Sequence, residues 1–284
     1  MNLKDNNSSF ILITGSGGFI GKNLKEYLKD KHNILTPRSF ELDLTDENAV
    51  REYFAQKNID FIIHCATQGG IRGTQDKSTV LDDNLAMVNN LLKYKKEKSR
   101  VILFGSGAMY DKSRNLHKVK EDEIGKFIPK DLYGKSKMQI AEIIKNRPEV
   151  LMLNIFACYG KGEKNTRFPS FAIDCLLKNQ TIEINQNCIF DYLFSEDMLK
   201  IVHYFIENKP KNNIINITPS KSISLYEIAK IVSNGRVNIK IKNPVMNNEY
   251  TGDNSLLLNE IKDFEFTPIE EGLKKLYLYK KENA

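Results

Sequence analysis

No apolar run in this 284-residue sequence approaches the roughly 18 residues that a membrane-spanning helix needs. Met1 to Ser9 is polar and lacks the charged-then-apolar order of a secretory leader, so the expected location is cytoplasmic. Cysteine is sparse and scattered, at Cys65, Cys158, Cys175 and Cys188, with no CxxC pair. The histidines, His32, His64, His117 and His203, do not cluster at metal-ligand spacing. No metal is expected, and the cysteines read as reduced core or pocket residues. There is also no internal repeat, low-complexity tract or long flexible linker, so the two halves of the chain are expected to pack closely. The net charge of +6 is modest. Part of it lies in runs such as Lys93-Tyr94-Lys95-Lys96, placed where a helix should end and where cations meet the negative end of its dipole. That pattern reads as a solvated basic face with a mild pull on phosphorylated ligands, not as a nucleic-acid groove.

What remains is enough for a full core: 41% of residues are hydrophobic. The first half alternates short β-rich runs with longer amphipathic segments, the pattern of a parallel sheet covered by helices on both faces. Strands are expected at Phe10 to Thr14, Asn33 to Thr36, Phe61 to Cys65, Val101 to Gly105 and Val150 to Phe156. Helices are expected after the first strand through about Lys29, and at Glu47 to Lys57, Asp82 to Lys96 and Tyr133 to Lys145. The third of these carries Leu85, Val88, Leu91 and Leu92 at helical spacing. Beyond Tyr159 the alternation loosens into a helix at Phe171 to Lys178 and short strands at Thr181 to Ile184 and Val237 to Ile241. The expected fold class is α/β, a doubly wound parallel (Rossmann) sheet with a smaller mixed α/β C-terminal region for substrate. The boundaries read as 1–158 for this doubly wound domain, with a return segment near 188–218, and 159–284 mainly for the smaller C-terminal region.

Thr14-Gly15-Ser16-Gly17-Gly18-Phe19-Ile20-Gly21 follows an expected strand and opens an expected helix, the two contexts that make a glycine motif credible. Glycines let backbone N–H groups approach a pyrophosphate at a helix N-terminus. After the second strand comes Leu35-Thr36-Pro37-Arg38-Ser39, whose guanidinium and hydroxyl suit a 2′-phosphate. That favours NADP(H) over NAD. The alternative is that Arg38 is an ordinary surface residue and Glu41 or Asp43 discriminates; Asp43-Leu44 is better placed to meet the adenine edge.

Tyr133-Gly134-Lys135-Ser136-Lys137 puts a phenol and an ammonium at i and i+4 on one helix face. A phenol of pKa roughly 10 is a poor acid near neutrality, and a neighbouring cation stabilises its ionised form. Ser106 falls just past the C-terminal end of a strand, the edge of an open parallel sheet where ligands bind, and can hold a carbonyl oxygen.

With these parts assembled, the sequence resembles the extended short-chain dehydrogenase/reductase family of nucleotide-sugar epimerases, dehydratases and reductases. The resemblance rests on the glycine loop, Asp43-Leu44-Thr45-Asp46, His64-Cys65-Ala66, Ser106 with Tyr110, Tyr133 with Lys137, Ala157-Cys158-Tyr159-Gly160, and Phe190-Asp191-Tyr192 before Glu196-Asp197. Gly69-Gly70-Ile71 and the segment Asn84 to Asn90 look like the GDP-L-fucose synthase-like reductases of 4-keto-6-deoxy sugar nucleotides. The resemblance implies catalysis by Ser106, Tyr133 and Lys137. It implies cofactor contacts at Gly15, Gly17, Gly18, Phe19, Ile20, Gly21, Arg38, Asp43, Leu44, Cys65, Ala66, Thr67, Tyr133 and Lys137, the last on the nicotinamide ribose. Substrate contacts are implied at Gly70, Ile71, Gly107, Ala108 and Arg167. A nucleotide-activated sugar in surface polysaccharide biosynthesis is the implied substrate. A homodimer is implied through the helices at Asp82 to Lys96 and Tyr133 to Lys145, with Asn89, Leu92, Met138 and Ile140 facing either a partner or the chain's own sheet.

The sequence departs from that group at informative places. Ala108 stands where its members carry a proton-moving Cys, and Asn165-Thr166-Arg167-Phe168-Pro169 has no His where one is expected. Ala157 and Phe190 replace an Asn and an Arg that commonly hold substrate; Lys161, Lys164, Arg167 and Lys178 are possible replacements for that charge or plain surface groups. The expected activity is therefore C4 ketone reduction without C3/C5 epimerisation. A nucleotide-sugar 4-epimerase and a non-catalytic NADP-binding regulator are the rival readings. Ser106-Gly107-Ala108 lacks the acidic pair of a 4,6-dehydratase.

Overall fold

Phe10–Thr14 (β1) is a strand of five residues whose last four are buried, and it runs straight into the glycine loop and the helix Phe19–Leu28 (α1). The structure is a computed structural model describing residues 10–71 and 73–283, so the polar segment Met1 to Ser9 lies outside the described residues. The chain divides into two units. The first comprises the described residues to Asp111, Asp122–Asn154 and Val202–Ile215; the second comprises Lys112–Glu121, Ile155–Ile201 and the described residues from Asn216. Val202–Ile215 thus belongs with the first unit, and Lys112–Glu121 with the second.

In the first unit β1 is followed by Asn33–Leu35 (β2), Glu47–Ala55 (α2), Phe61–His64 (β3), Val80–Tyr94 (α3) and Arg100–Ser106 (β4). A sheet of six strands results, completed by two further strands, Val150–Ile155 and Ile214–Asn216, in the order Ile214–Asn216, Val150–Ile155, β4, β3, β1, β2. β1 pairs in parallel with β2 on one side and β3 on the other, and β3 with β4. The chain winds outward in both directions from β1, so the crevice between the C-terminal ends of β1 and β3 is the switch point at which such sheets bind ligands. The helices form for local reasons. Asp46 caps α2 by accepting from the Asn48 and Ala49 N–H groups, and Asp131 caps Leu132–Ile144, the helix of Tyr133, by accepting from Gly134.

α3 begins two residues before its expected start, and its buried face is not the simple apolar stripe. Asn84 and Met87 are buried on it while Leu85 is only half-buried. α3 packs on Leu132–Ile144 within the unit. Leu92 and Ile140 are core residues there, 8% and 2% exposed, so of the four residues considered for a dimer contact these two face the chain's own core; Asn89 is exposed.

The second unit is built from shorter strands. A four-stranded sheet has the order Ile223–Ser224, Ile189–Phe190, Tyr250–Gly252, Leu116–Val119, and Ile182–Gln186 pairs in parallel with Ile239–Asn243. Its core gathers Tyr159, Phe168, Ile173, Phe194, Ile228 and Leu276 around the helices Phe168–Leu177, Leu225–Ser233 and Ile269–Glu282. Two motif carboxylates pin this unit. Asp191 is fully buried and accepts from Ser222, Lys118 and the Gly252 N–H, and Asp197 accepts from the Thr267 N–H and hydroxyl.

Candidate active site

The glycine loop is fixed by contact with the end of β3. Gly15 has φ +63, and a Cβ built there would lie 2.5 Å from the Ala66 nitrogen, so any side chain would force the two segments apart. A Cβ on Gly21 would meet the Gly15 carbonyl oxygen, and the Gly18 N–H donates to that same oxygen at 3.0 Å. Gly18 is the N-cap of α1 with no side-chain cap, and the first turn, with Phe19 and Ile20, holds no acidic residue. The free N–H groups at this helix end favour an anion.

Thr14 and His64, both buried, share a hydrogen bond of 2.8 Å between Oγ1 and Nδ1, and the Ala66 N–H donates to Thr14 Oγ1 at 3.3 Å. Burial pushes His64 down to about 3, with the Lys137 ammonium adding to the effect, so the ring is neutral and structural. Burial raises the Cys65 thiol, which therefore stays protonated and unreactive; Thr67 next to Ala66 is exposed. Arg38 lies across the loop: its Nη1 is 3.2 Å from a Cβ position at Gly17. The two nearby carboxylates are engaged locally. Glu41 accepts from the Arg38 N–H at 2.7 Å, and Asp43 accepts from both the Thr45 N–H and hydroxyl, which holds its carboxyl below the usual range. Leu44 is buried.

Ser106 ends β4 and opens a short turn, Gly107–Tyr110; its Oγ accepts from the Ala108 N–H at 3.2 Å. A Cβ on Gly134 would lie 2.7 Å from the Ala108 carbonyl oxygen, so the glycine after Tyr133 is what lets the Tyr133 helix seat against the Ser106 turn. Lys137 is 5% exposed. Its Nζ donates to the Phe104 carbonyl at 2.9 Å and stands 5.6 Å from the centroid of the Tyr133 ring. Burial pushes Lys137 down to about 8. The structure thus gathers Ser106, Gly107, Ala108, Tyr133, Lys137, the glycine loop, Cys65 and Ala66 in the first unit at the C-terminal edge of its sheet. A Cβ on Gly70 would meet the Tyr133 ring, and Ile71 beside it is exposed. Arg167 belongs to the second unit, where it is the exposed N-cap residue of Phe168–Leu177.

Sequence reasoning misses two polar residues of this site. Asn84 accepts from the Gln68 N–H at 2.8 Å and donates to the Gln68 carbonyl and to Ser136 Oγ, each at 3.0 Å; Ser136 in turn donates to the Tyr133 carbonyl. Asp76 accepts from Gly70 and Tyr133. An asparagine on the buried side of an amphipathic helix is a visible signal; nothing in the sequence marks Asp76.

The model of the NAD dependent epimerase/dehydratase family matches residues 11–218, most of the chain and every element just described. The chain belongs to this family. Among curated members it is 27% identical to GDP-L-colitose synthase of Yersinia pseudotuberculosis over 78% of this chain and 80% of that protein. It is 25% identical to GDP-6-deoxy-D-talose 4-dehydrogenase of Aggregatibacter actinomycetemcomitans over 94% and 96%. In fold it is similar to a GDP-mannoheptose C4 reductase from Campylobacter jejuni solved with NADP bound, with TM-score 0.80 and 19% identity over 96% of this chain and 98% of that one. As a member of the family the chain is a nucleotide-sugar oxidoreductase. No helix among the described residues is long and apolar enough to cross a membrane, and they hold no cluster of metal-ligating side chains.

Proposed function

We propose that this protein is an NADPH-dependent C4 ketoreductase of a nucleotide-activated 4-keto-6-deoxy sugar, hexose or heptose, in surface polysaccharide biosynthesis, and that it does not epimerise C3 or C5. The observation that carries the reading is the seating of Lys137, buried beside the Tyr133 ring and held by the Phe104 carbonyl, on the helix packed against the Ser106 turn. The residues fit a phosphorylated dinucleotide: the α1 N-terminus is uncapped, the Gly15 cradle has no room for a Cβ, and the Arg38 guanidinium covers Gly17. Glu41 and Asp43, the alternatives for contacting a ribose hydroxyl, spend their carboxylates on Arg38 and Thr45, which supports NADP(H) over NAD.

When bound, the reduced dinucleotide supplies hydride to the sugar C4. Tyr133 donates its phenolic proton to the oxygen of that carbon as negative charge develops there. Ser106 Oγ already accepts from the Ala108 N–H, so its own proton is available to the same oxygen, and a preorganised donor of this kind is worth most where charge appears in the transition state. Lys137 stabilises the phenolate left behind and holds the ribose. Ala108 is 3% exposed and has no proton to move, which supports reduction without epimerisation. The 4-dehydrogenase and C4-reductase names of the relatives agree with this chemistry. Arg167 and the second unit would hold the nucleotide sugar, and the family resemblance supports a cytoplasmic homodimer.

The test is incubation with NADPH and a panel of GDP-, CDP-, UDP- and dTDP-linked 4-keto-6-deoxy sugars, heptoses included, with products identified by NMR. Stoichiometric NADPH oxidation is expected, and Tyr133→Phe should keep cofactor binding while losing most turnover. Tightly held NAD with no NADPH consumption would instead indicate a 4-epimerase, and cofactor binding without turnover on any substrate a regulator.

A further inference from the structure

The helix that carries Tyr133 and Lys137 ends on two carboxylates. Asp131, its own N-cap, takes the Gly134 N–H at 2.9 Å; the N–H of Tyr133 itself is taken by Asp76 Oδ2 at 3.3 Å, from a segment that precedes α3. The other oxygen of Asp76 accepts from the Gly70 N–H at 2.9 Å. One carboxylate thereby bridges the backbone of the Gly69-Gly70 loop to the backbone of the tyrosine. The bridge explains a close approach. Gly70 has φ +69, and a Cβ built there would stand 2.9 Å from Cγ, Cδ1 and Cε1 of the Tyr133 ring, so the loop backbone lies against the face of the phenol. Asp76 is half-buried between exposed neighbours, Gln75 and Lys77. A negative charge at a helix N-terminus is also favoured by the helix dipole, so the bridge forms where a carboxylate is most stable.

We infer that Asp76 is a positioning residue for the reaction: by tying Gly70 and Tyr133 to one carboxylate it fixes the loop against the phenol and sets the direction in which Tyr133 delivers its proton. The inference rests on Tyr133 being the proton donor. It assigns a catalytic consequence to a residue that acts through two backbone N–H groups. Misaiming a proton donor lowers the rate of the chemical step and leaves cofactor binding alone, because the glycine loop and Arg38 are fixed by other contacts.

The experiment compares Asp76→Asn and Asp76→Ala, alone and combined with Tyr133→Phe, in steady-state reduction and in NADPH affinity measured by fluorescence titration. Asp76→Asn keeps one acceptor and turns an amide N–H₂ towards the second donor, so it breaks half of the bridge with almost no change in shape. The expected result is a kcat lower by about 10-fold for Asp76→Asn and up to about 100-fold for Asp76→Ala, the range for losing hydrogen bonds to a charged group. NADPH affinity should be unchanged. On a Tyr133→Phe background either substitution should cost nothing further, since residues acting through one group are not additive. Wild-type kcat in both single variants, full additivity with Tyr133→Phe, or a parallel loss of NADPH affinity in both would each overturn the inference. A Tyr133→Phe protein with near wild-type turnover would instead overturn the proton-donor assignment on which it rests.

Discussion

Glu163 lies one turn of chain beyond Tyr159-Gly160 and is 7% exposed. Its Oε1 accepts from the Ser170 N–H at 3.0 Å, in the first turn of Phe168–Leu177, but its Oε2 is buried without a hydrogen-bond partner beside a cavity of about 510 Å³. Burial outweighs the Ser170 hydrogen bond and the Arg167 and Lys280 charges and pushes the carboxyl up to about 7 from 4.5. The folded protein therefore holds this proton more tightly than the unfolded chain. The stability it contributes is complete below about pH 4.5 and is lost as pH rises through about 7. The difference between those two values corresponds to roughly 3 kcal/mol, of which about 2 to 3 kcal/mol is lost between pH 5 and pH 8. Glu163→Gln stays neutral and keeps the acceptor for Ser170. In urea unfolding followed by circular dichroism, its stability relative to wild type should rise by about 2 kcal/mol or more from pH 5 to pH 8, other titrating groups cancelling in the comparison. A stability difference that stays constant across that range would refute the argument, because it would mean that Glu163 titrates alike in both states.

Two further outcomes concern the site. Arg38→Ala should weaken NADPH by roughly 10- to 100-fold, the range for losing charge-assisted hydrogen bonds to a phosphate, while changing NADH by less than about threefold; equal losses for both in KM and direct titration would remove Arg38 from 2′-phosphate recognition. Lys137, held down at about 8 by burial, should lose its proton as pH rises through that value, and with it the cation proposed to stabilise the Tyr133 phenolate. In the proposed reaction kcat/KM should then fall above about pH 8. A profile level to about pH 10 would show that the ammonium charge plays no part.

The first unit was legible because its signals are local. The glycines between β1 and α1, the Tyr133 and Lys137 spacing, and Ser106 at a strand end each sit within a few residues of the element that positions them. The second unit was much less so. Its strands Leu116–Val119, Ala157–Tyr159, Ile189–Phe190, Ile223–Ser224 and Tyr250–Gly252 run to four residues at most and are held by partners far along the chain, so alternation has no room to appear. The helix Ile269–Glu282 did carry end signals, Glu270 and Glu271 in its first turn and Lys280 and Lys281 in its last, which a strand-centred reading passes over. Depth is also invisible to spacing. The sequence shows that Lys137 shares a face with Tyr133 but not that it is buried, and burial is what turns an ordinary lysine into one that titrates near 8.

The same geometry separates what this site can vary from what it cannot. Gly15, Thr14, His64 and Ala66 lock one another at the ends of β1 and β3, and Lys137 contributes to the charge environment of both His64 and Cys65. A side chain at Gly15 would force these two strand ends apart. The segment from Thr67 to Thr79 is different. Its described residues are mostly exposed, and it is tied to the Tyr133 helix by Asp76, which accepts from the Tyr133 N–H, and by Gln68, which Asn84 of α3 joins to Ser136. Gly69 and Gly70 leave no room for a side chain, but exposed residues there such as Ile71 can be exchanged without strain on the sheet as long as those anchors stay. Substrate preference is therefore expected to follow this loop while hydride and proton transfer follow the sheet edge, so exchanging Ile71 should move the sugar KM and leave NADPH affinity where it was.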